Sequence, residues 1–193
     1  FRKTRILNFA ITMTEGDYVV FLDGDCLPAR KFVSDHVALA EHGTFVQGRR
    51  AFVDEKKAQD LLAGRATVLG LALTGHVSGL FKAVRWPAPI IRRNQGQRGL
   101  IGCNLAIWRE DLVAVNGFDE EYEGWGIGED SDLCSRLYHL GRERKFVYGR
   151  ALVFHLNHPQ LDKQHVPESL RRLEATLKTK KVRCEKGLNT HQA

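Results

Sequence analysis

The sequence predicts an α/β layered fold, with helices flanking a mainly parallel sheet. Three observations carry this. The 193-residue chain is 43% hydrophobic and 27% charged, which suits one globular core and not a disordered or fibrous chain. Short β-branched and aromatic runs recur along it, bounded by Gly, Asp or Asn. Between them lie segments whose apolar residues fall at helical spacing, and strands alternating with helices imply crossovers and a parallel sheet.

The elements follow in order. From Lys3 to Met13, Ile6, Phe9, Ala10 and Met13 share one helical face. Gly16-Asp17 is a turn, and Tyr18–Leu22 reads as a buried strand. Pro28 leads into a helix with Phe32, Val33, His36, Val37 and Ala40 at helical spacing, stopped by Gly43. "TFVQGRRAFV" is strand-like, and Lys56 to Leu73 is helical with glycines that weaken it. "RRNQGQRG", Arg92 to Gly99, is polar and basic and reads as a loop. "LIGCNLAIW" is a strand and "REDLVAVNG" a short helix closed by Gly117. "EDSDLCSRLYHLG" puts Leu133, Leu137 and Leu140 on one side and ends at Gly141. "KFVYGRALVFH" is the last strand candidate, and Pro167 to Cys184 a basic amphipathic helix. The boundary falls near residue 160, with a body over 1–160 and a basic helical tail over 161–193. No internal repeat is visible.

Composition narrows the function classes. No segment approaches the ~18 apolar residues of a membrane span, since "VLGLALTGHVSGLF" is broken by Thr74, His76 and three glycines. The chain opens on Phe1 with neither an initiator Met nor a signal peptide, as expected of a piece of a longer chain. Cys26, Cys103, Cys134 and Cys184 form no close pair, which argues against zinc or disulfide frameworks and for a cytoplasmic setting. The net charge of +6 suits nucleic acid, an anionic membrane or a phosphorylated substrate. The basic residues are dispersed and no nucleic-acid motif appears, so nucleic acid is not expected.

Three places carry chemistry. "YVVFLDGDCLP" ends an apolar strand in Asp23 and Asp25, and ligands of open α/β sheets gather beyond such strand ends. Two carboxylates one residue apart can reach one hard cation such as Mg2+ or Mn2+; an isolated pair is equally an Asp-Gly turn. "GFDEEYEGWGIGEDSDL" places seven acids among four glycines, Tyr122 and Trp125. Trp125 on a tight turn offers a flat face on which a sugar ring stacks. Glu129, Asp130 and Asp132 open a helix, where acids complement the macrodipole. That terminus should lower the pKa of Asp130 and make it a weaker base, still adequate if deprotonation accompanies departure of a good leaving group. "ALVFHLNHP" ends another strand in His155, with His158 three residues on. A histidine there is either structural or the completion of a cation shell.

With these motifs in this order, most of Arg2 to Pro159 resembles glycosyltransferase family 2, with the GT-A fold, a Rossmann-like sheet flanked by helices. The later half is similar to the galactosyltransferase C-terminal module of β-1,4-galactosyltransferases and bacterial chondroitin-polymerase-type enzymes. The resemblance implies a hexosyltransferase that moves a sugar from a nucleotide-diphosphate sugar, a UDP-sugar foremost, to a saccharide or lipid-linked acceptor in bacterial polysaccharide or lipopolysaccharide synthesis. It implies Mn2+ or Mg2+ as cofactor, held by Asp23, Asp25 and His155, with His158 the lesser choice. Lys3, Asn8 and Asp23 would line the donor site, and Trp125, Gly126 and Glu129 the acceptor site. Asp130 would be the catalytic base of an inverting displacement. In the family, a strand, turn and strand that hold the nucleotide base precede the helix at which this chain starts, and such N-terminal strands are expected outside this chain.

Two other classes stay open at this point. One is a non-catalytic carbohydrate-binding or degenerate transferase module. The other is an aspartate-nucleophile phosphatase, which also ends a strand in two aspartates but usually follows them with Thr or Ser, where Cys26-Leu27-Pro28 stands here. The basic tail is either a surface helix or a peripheral contact with the inner membrane face.

Overall fold

The computed structural model describes residues 2–124, 128–158 and 166–191. Helix α1 (Lys3–Thr12) leads to β1 (Tyr18–Leu22), the short β2 (Cys26–Pro28), α2 (Phe32–Leu39), β3 (Thr44–Gln47) and β4 (Arg50–Val53). Helices α3 (Glu55–Leu62), α4 (Val68–Leu73) and α5 (Leu80–Ala83) precede β5 (Ile90–Asn94), β6 (Asn104–Trp108) and α6 (Arg109–Ala114). Then come α7 (Glu129–His139), β7 (Glu143–Tyr148), β8 (Val153–Leu156) and α8 (Val166–Thr179).

The strands form two sheets, one ordered β1-β6-β3-β7-β5 and a smaller one ordered β2-β8-β4. The α/β class holds, but the expectation of a mainly parallel sheet does not. In the larger sheet only β3 and β7 pair in parallel, while β1–β6, β3–β6 and β5–β7 are antiparallel. Strands β1, β3 and β7 do run the same way, as strand–helix–strand crossovers require. The long segment after β4 brings the chain back from the opposite end, so β6 enters between β1 and β3 in reverse and β5 covers the edge beside β7.

Two strand candidates divide at glycines. "TFVQGRRAFV" splits at Gly48 and "KFVYGRALVFH" at Gly149, which sends each half into a different sheet. Gly48 must be glycine: a Cβ would lie 2.3 Å from the Ala151 carbonyl oxygen and 2.4 Å from the Asn104 amide. The helix expected over 56–73 is likewise two helices, interrupted at Gly64, whose φ is +69°. Arg92–Asn94, expected in a loop, extends the exposed edge strand β5.

Helix α1 is where expected, but its buried face is not. Thr4, Asn8 and Ile11 are buried, whereas Ile6, Phe9 and Met13 are 59%, 56% and 69% exposed. Hydrogen bonds decide the orientation. The Asn8 amide donates to the Phe118 carbonyl at 2.8 Å and accepts from the Phe118 N–H at 2.8 Å, while the Thr4 hydroxyl donates to the Tyr122 carbonyl. These anchors stand on the same side as Ile11, so a polar stripe with satisfied partners outcompetes the apolar one. Ile11 joins Phe21, Phe45, Ile107, Phe118 and Leu133 in the main core. Leu133 and Leu137 of α7 are fully buried, as their spacing predicts. Helix α8 lies along α7, and Leu188 beyond it enters the same core.

Candidate active site

The candidate residues converge where the two sheets meet. Strand β1 ends at Leu22, and the chain turns at once, the Cys26 N–H donating to the Asp23 carbonyl at 3.0 Å. Strand β2 then pairs with β8 rather than continuing the first sheet, and the Asp25 carbonyl accepts from the Leu156 N–H at 2.9 Å. The Asp23–Asp25 turn thus joins the sheets, and its two carboxylates face different partners.

Asp25 faces β8. Its Oδ2 lies 3.4 Å from His155 Nε2 and 2.9 Å from His158 Nε2, and the imidazoles stack with centroids 5.5 Å apart. The Cys26 thiol donates to Asp25 Oδ1 at 3.5 Å. Among the described residues, one ligand atom each from Asp25, Cys26 and His155 lie within 4.8 Å of one another, a donor set that fits a divalent cation. Burial pulls the pKa of His155 below its ordinary value, and Arg50 and His158 add to this against Asp25. The ring therefore stays neutral and keeps a lone pair for an ion. Its Nδ1 is buried without a hydrogen-bond partner among the described residues.

Asp23 faces α1. The Lys3 ammonium lies 3.5 Å from Asp23 Oδ1 and 3.3 Å from Glu129 Oε1. Burial alone would lower the Lys3 pKa, but Asp130, Asp23 and Glu129 together drive it up, so it is a fixed cation among three carboxylates. Asp23 stands outside the Asp25–Cys26–His155 set.

Asp130, in the first turn of α7, overturns the expectation of a lowered pKa. Burial, with the charges of Glu129 and Asp23, outweighs Lys3 and a hydrogen bond from the Gly102 backbone, and its pKa rises to about 7. The macrodipole of an 11-residue helix is the smaller effect once the carboxyl is pressed against backbone. A Cβ at Gly102 would lie 2.2 Å from Asp130 Oδ1 and 2.3 Å from Cγ and Oδ2. Asp132, by contrast, is structural. It is 1% exposed and paired at 2.8 Å with the fully buried Arg136, which also donates to the Val115 and Gly117 carbonyls.

Of the expected site residues, Lys3, Asp23, Asp25, Glu129, Asp130 and His155 are brought together. Asn8 is not available to a ligand: it is fully buried and its amide is engaged by Phe118 and Glu120. Trp125 and Gly126 lie outside the described residues. The sequence reading missed Gly102, Cys26 and Arg50. Arg50 sits over the Phe52 ring, with a guanidinium nitrogen 3.8 Å from Cys103 Sγ, and has no carboxylate partner among the described residues. Only the Gly-Cys-Asn before β6 hinted at a close approach there.

Comparison with known proteins gives the family and the fold. The family description "Glycosyl transferase family 2" matches residues 1–113, and "N-terminal domain of galactosyltransferase" matches residues 89–159. The chain is similar to chondroitin synthase of Escherichia coli, at 26% identity over 171 residues, covering 80% of this chain and 25% of that protein. It is also similar to beta-1,4-galactosyltransferase 1 of Mus musculus, at 34% identity over 88 residues, covering 44% of this chain and 21% of that protein. It thus spans a quarter or less of the length of these relatives. Among solved structures, GalNAc-T7 with UDP, GalNAc and Mn2+ superposes with a TM-score of 0.52 at 14% identity, covering 82% of this chain and 31% of that one. The shared fold is GT-A.

Proposed function

The chain belongs to glycosyltransferase family 2, and on that premise we propose that it transfers a sugar from a nucleotide-diphosphate donor, a UDP-sugar foremost, to an acceptor hydroxyl on a saccharide or lipid-linked glycan, with inversion and with a divalent cation. One observation carries the reading. Segments distant in sequence bring Asp25 and His155, whose donor atoms could hold a cation, and Asp130, a carboxyl whose pKa burial raises to about 7, to one junction through Asp23 and Lys3.

Asp25 and His155 would hold Mn2+ or Mg2+, which when bound would supply electrostatic stabilisation of the departing diphosphate. The chain's own residues do the rest. Asp130 accepts the proton of the acceptor hydroxyl as its oxygen attacks the anomeric carbon, and a base with pKa about 7 suits proton transfer at neutral pH. A single displacement of this kind inverts the anomeric centre. Lys3 keeps Asp23, Glu129 and Asp130 in place and offsets their mutual repulsion. Arg50, a cation without an acidic partner among the described residues, faces the same junction and would meet the donor's diphosphate.

Asp130→Asn keeps the shape and removes the base. Transfer should fall by about 10²–10⁴-fold while affinity for the donor stays near that of the native protein. Unchanged turnover would remove Asp130 from this role. In α8, Arg171 pairs with Glu168, and Arg172 with Glu121 and Glu168.

A further inference from the structure

We propose that Cys26 is a ligand of the cation site, so that the site is a mixed oxygen–nitrogen–sulfur set preferring Zn2+, Co2+ or Cd2+ over Mg2+. The inference rests on the reading of Asp25 and His155 as cation-binding and changes what they bind.

Strand pairing supplies the first reason. Cys26 and His155 are directly opposite in the antiparallel β2–β8 pair, and directly opposed residues project to the same face. Asp25 immediately precedes Cys26 and touches both neighbours, Oδ1 at 3.5 Å from Sγ and Oδ2 at 3.4 Å from His155 Nε2. Metal–sulfur bonds of about 2.3 Å and metal–nitrogen or –oxygen bonds of about 2.0–2.1 Å put adjacent tetrahedral ligands roughly 3.4–3.6 Å apart. Each Asp25 oxygen neighbours one of the other two donors, and one ligand atom from each residue lies within 4.8 Å of the others, so the three close around one ion with shifts of about 1 Å.

Donor chemistry supplies the second. Mg2+ takes oxygen ligands in a near-ideal octahedron, whereas thiolate and imidazole favour softer, tetrahedral ions. The Cys26 thiol would lose its proton to solvent as the metal–sulfur bond forms, which leaves one thiolate, one carboxylate and one neutral imidazole on the ion. Cys103 stands behind Cys26 in the same buried cluster with Phe32 and Val153, and its sulfur contacts Arg50. Cys103 thereby packs Cys26 in place without joining the ligand set.

The test is titration of the metal-free protein with Co2+. A thiolate-to-cobalt charge-transfer band in the near ultraviolet is expected, with one proton released per ion bound in weakly buffered solution. Cys26→Ser should lose both signals, Cys103→Ser should keep them, and Zn2+ affinity should drop by about tenfold or more in Cys26→Ser. Binding of Co2+ without the band, or a band that survives in Cys26→Ser, overturns the ligand role and leaves the cation reading intact. Failure of Co2+ and Mn2+ alike to bind, with or without UDP, overturns both. Should Cys26→Ser not fold, the native spectrum and proton count decide alone.

Discussion

Gly102→Ala is the most direct probe of how the fold sets up Asp130. The added Cβ would stand 2.2 Å from Oδ1 and 2.3 Å from both Cγ and Oδ2, where ordinary contact begins at 3.4 Å. Cγ and both oxygens are crowded at once, so the carboxyl must shift by about 1 Å, whether it turns about Cα–Cβ or backs away. A misplacement of that size costs on the order of 10²-fold in rate, or ~2.7 kcal/mol of transition-state stabilisation. The assay is kcat for nucleotide release with acceptor present, alongside donor affinity and the melting temperature. Affinity should hold and kcat should fall. The decisive comparison is the double variant: added to Asp130→Asn, Gly102→Ala should cost nothing further, since the group it displaces has already lost its function. A native kcat in Gly102→Ala, or a further large loss in the double variant, would refute the reasoning.

Other expectations follow from the same geometry. With the pKa of Asp130 near 7 and its ionised form active, kcat/KM should climb with pH and level off above neutrality. Lys3 favours the ionised carboxylate, so Lys3→Met should move this limb to higher pH by about one unit, as pH–rate profiles would reveal. The same raised pKa opposes stability. The contribution of Asp130 is fully present below its ordinary pKa of 3.8 and is lost as pH rises through about 7, so Asp130→Asn should melt above the native protein at pH 8, with the gap closing towards pH 4. Asp132→Ala strands the buried guanidinium of Arg136 and should cost about 3–5 kcal/mol in denaturant unfolding. A loss under about 1 kcal/mol would show the pair to be dispensable.

What could be read from the sequence was what neighbours along the chain decide. A β-branched run ending in Asp-Gly-Asp places two carboxylates at a strand tip, and Leu133 with Leu137 marks the buried side of α7, whatever lies elsewhere. What could not be read was set by partners far away. The face of α1 was decided at Phe118, more than a hundred residues on, whose N–H and carbonyl both bind Asn8. The helix dipole at Asp130 is a local property, whereas its burial against Gly102 is not, and burial is the stronger effect. The parallel sheet failed for the same reason, since alternation along the chain is silent on the end from which β6 is entered.

The Asp23–Asp25 turn shows why such distant terms gather at one place. Had β1 continued in its own sheet, both aspartates would have shared one environment and one role. Instead β2 joins β8, and the turn between the sheets sends Asp23 towards Lys3 and Asp25 towards His155. Carboxylates one residue apart are thereby given different partners, the Lys3 ammonium on one side and the His155 imidazole on the other. The proposed cation site and Asp130 are then joined by two short links, the turn and Lys3. Lys3→Met should therefore disturb the pH–rate limb and metal-dependent donor affinity together, and a shift in one without the other would show that the link is absent.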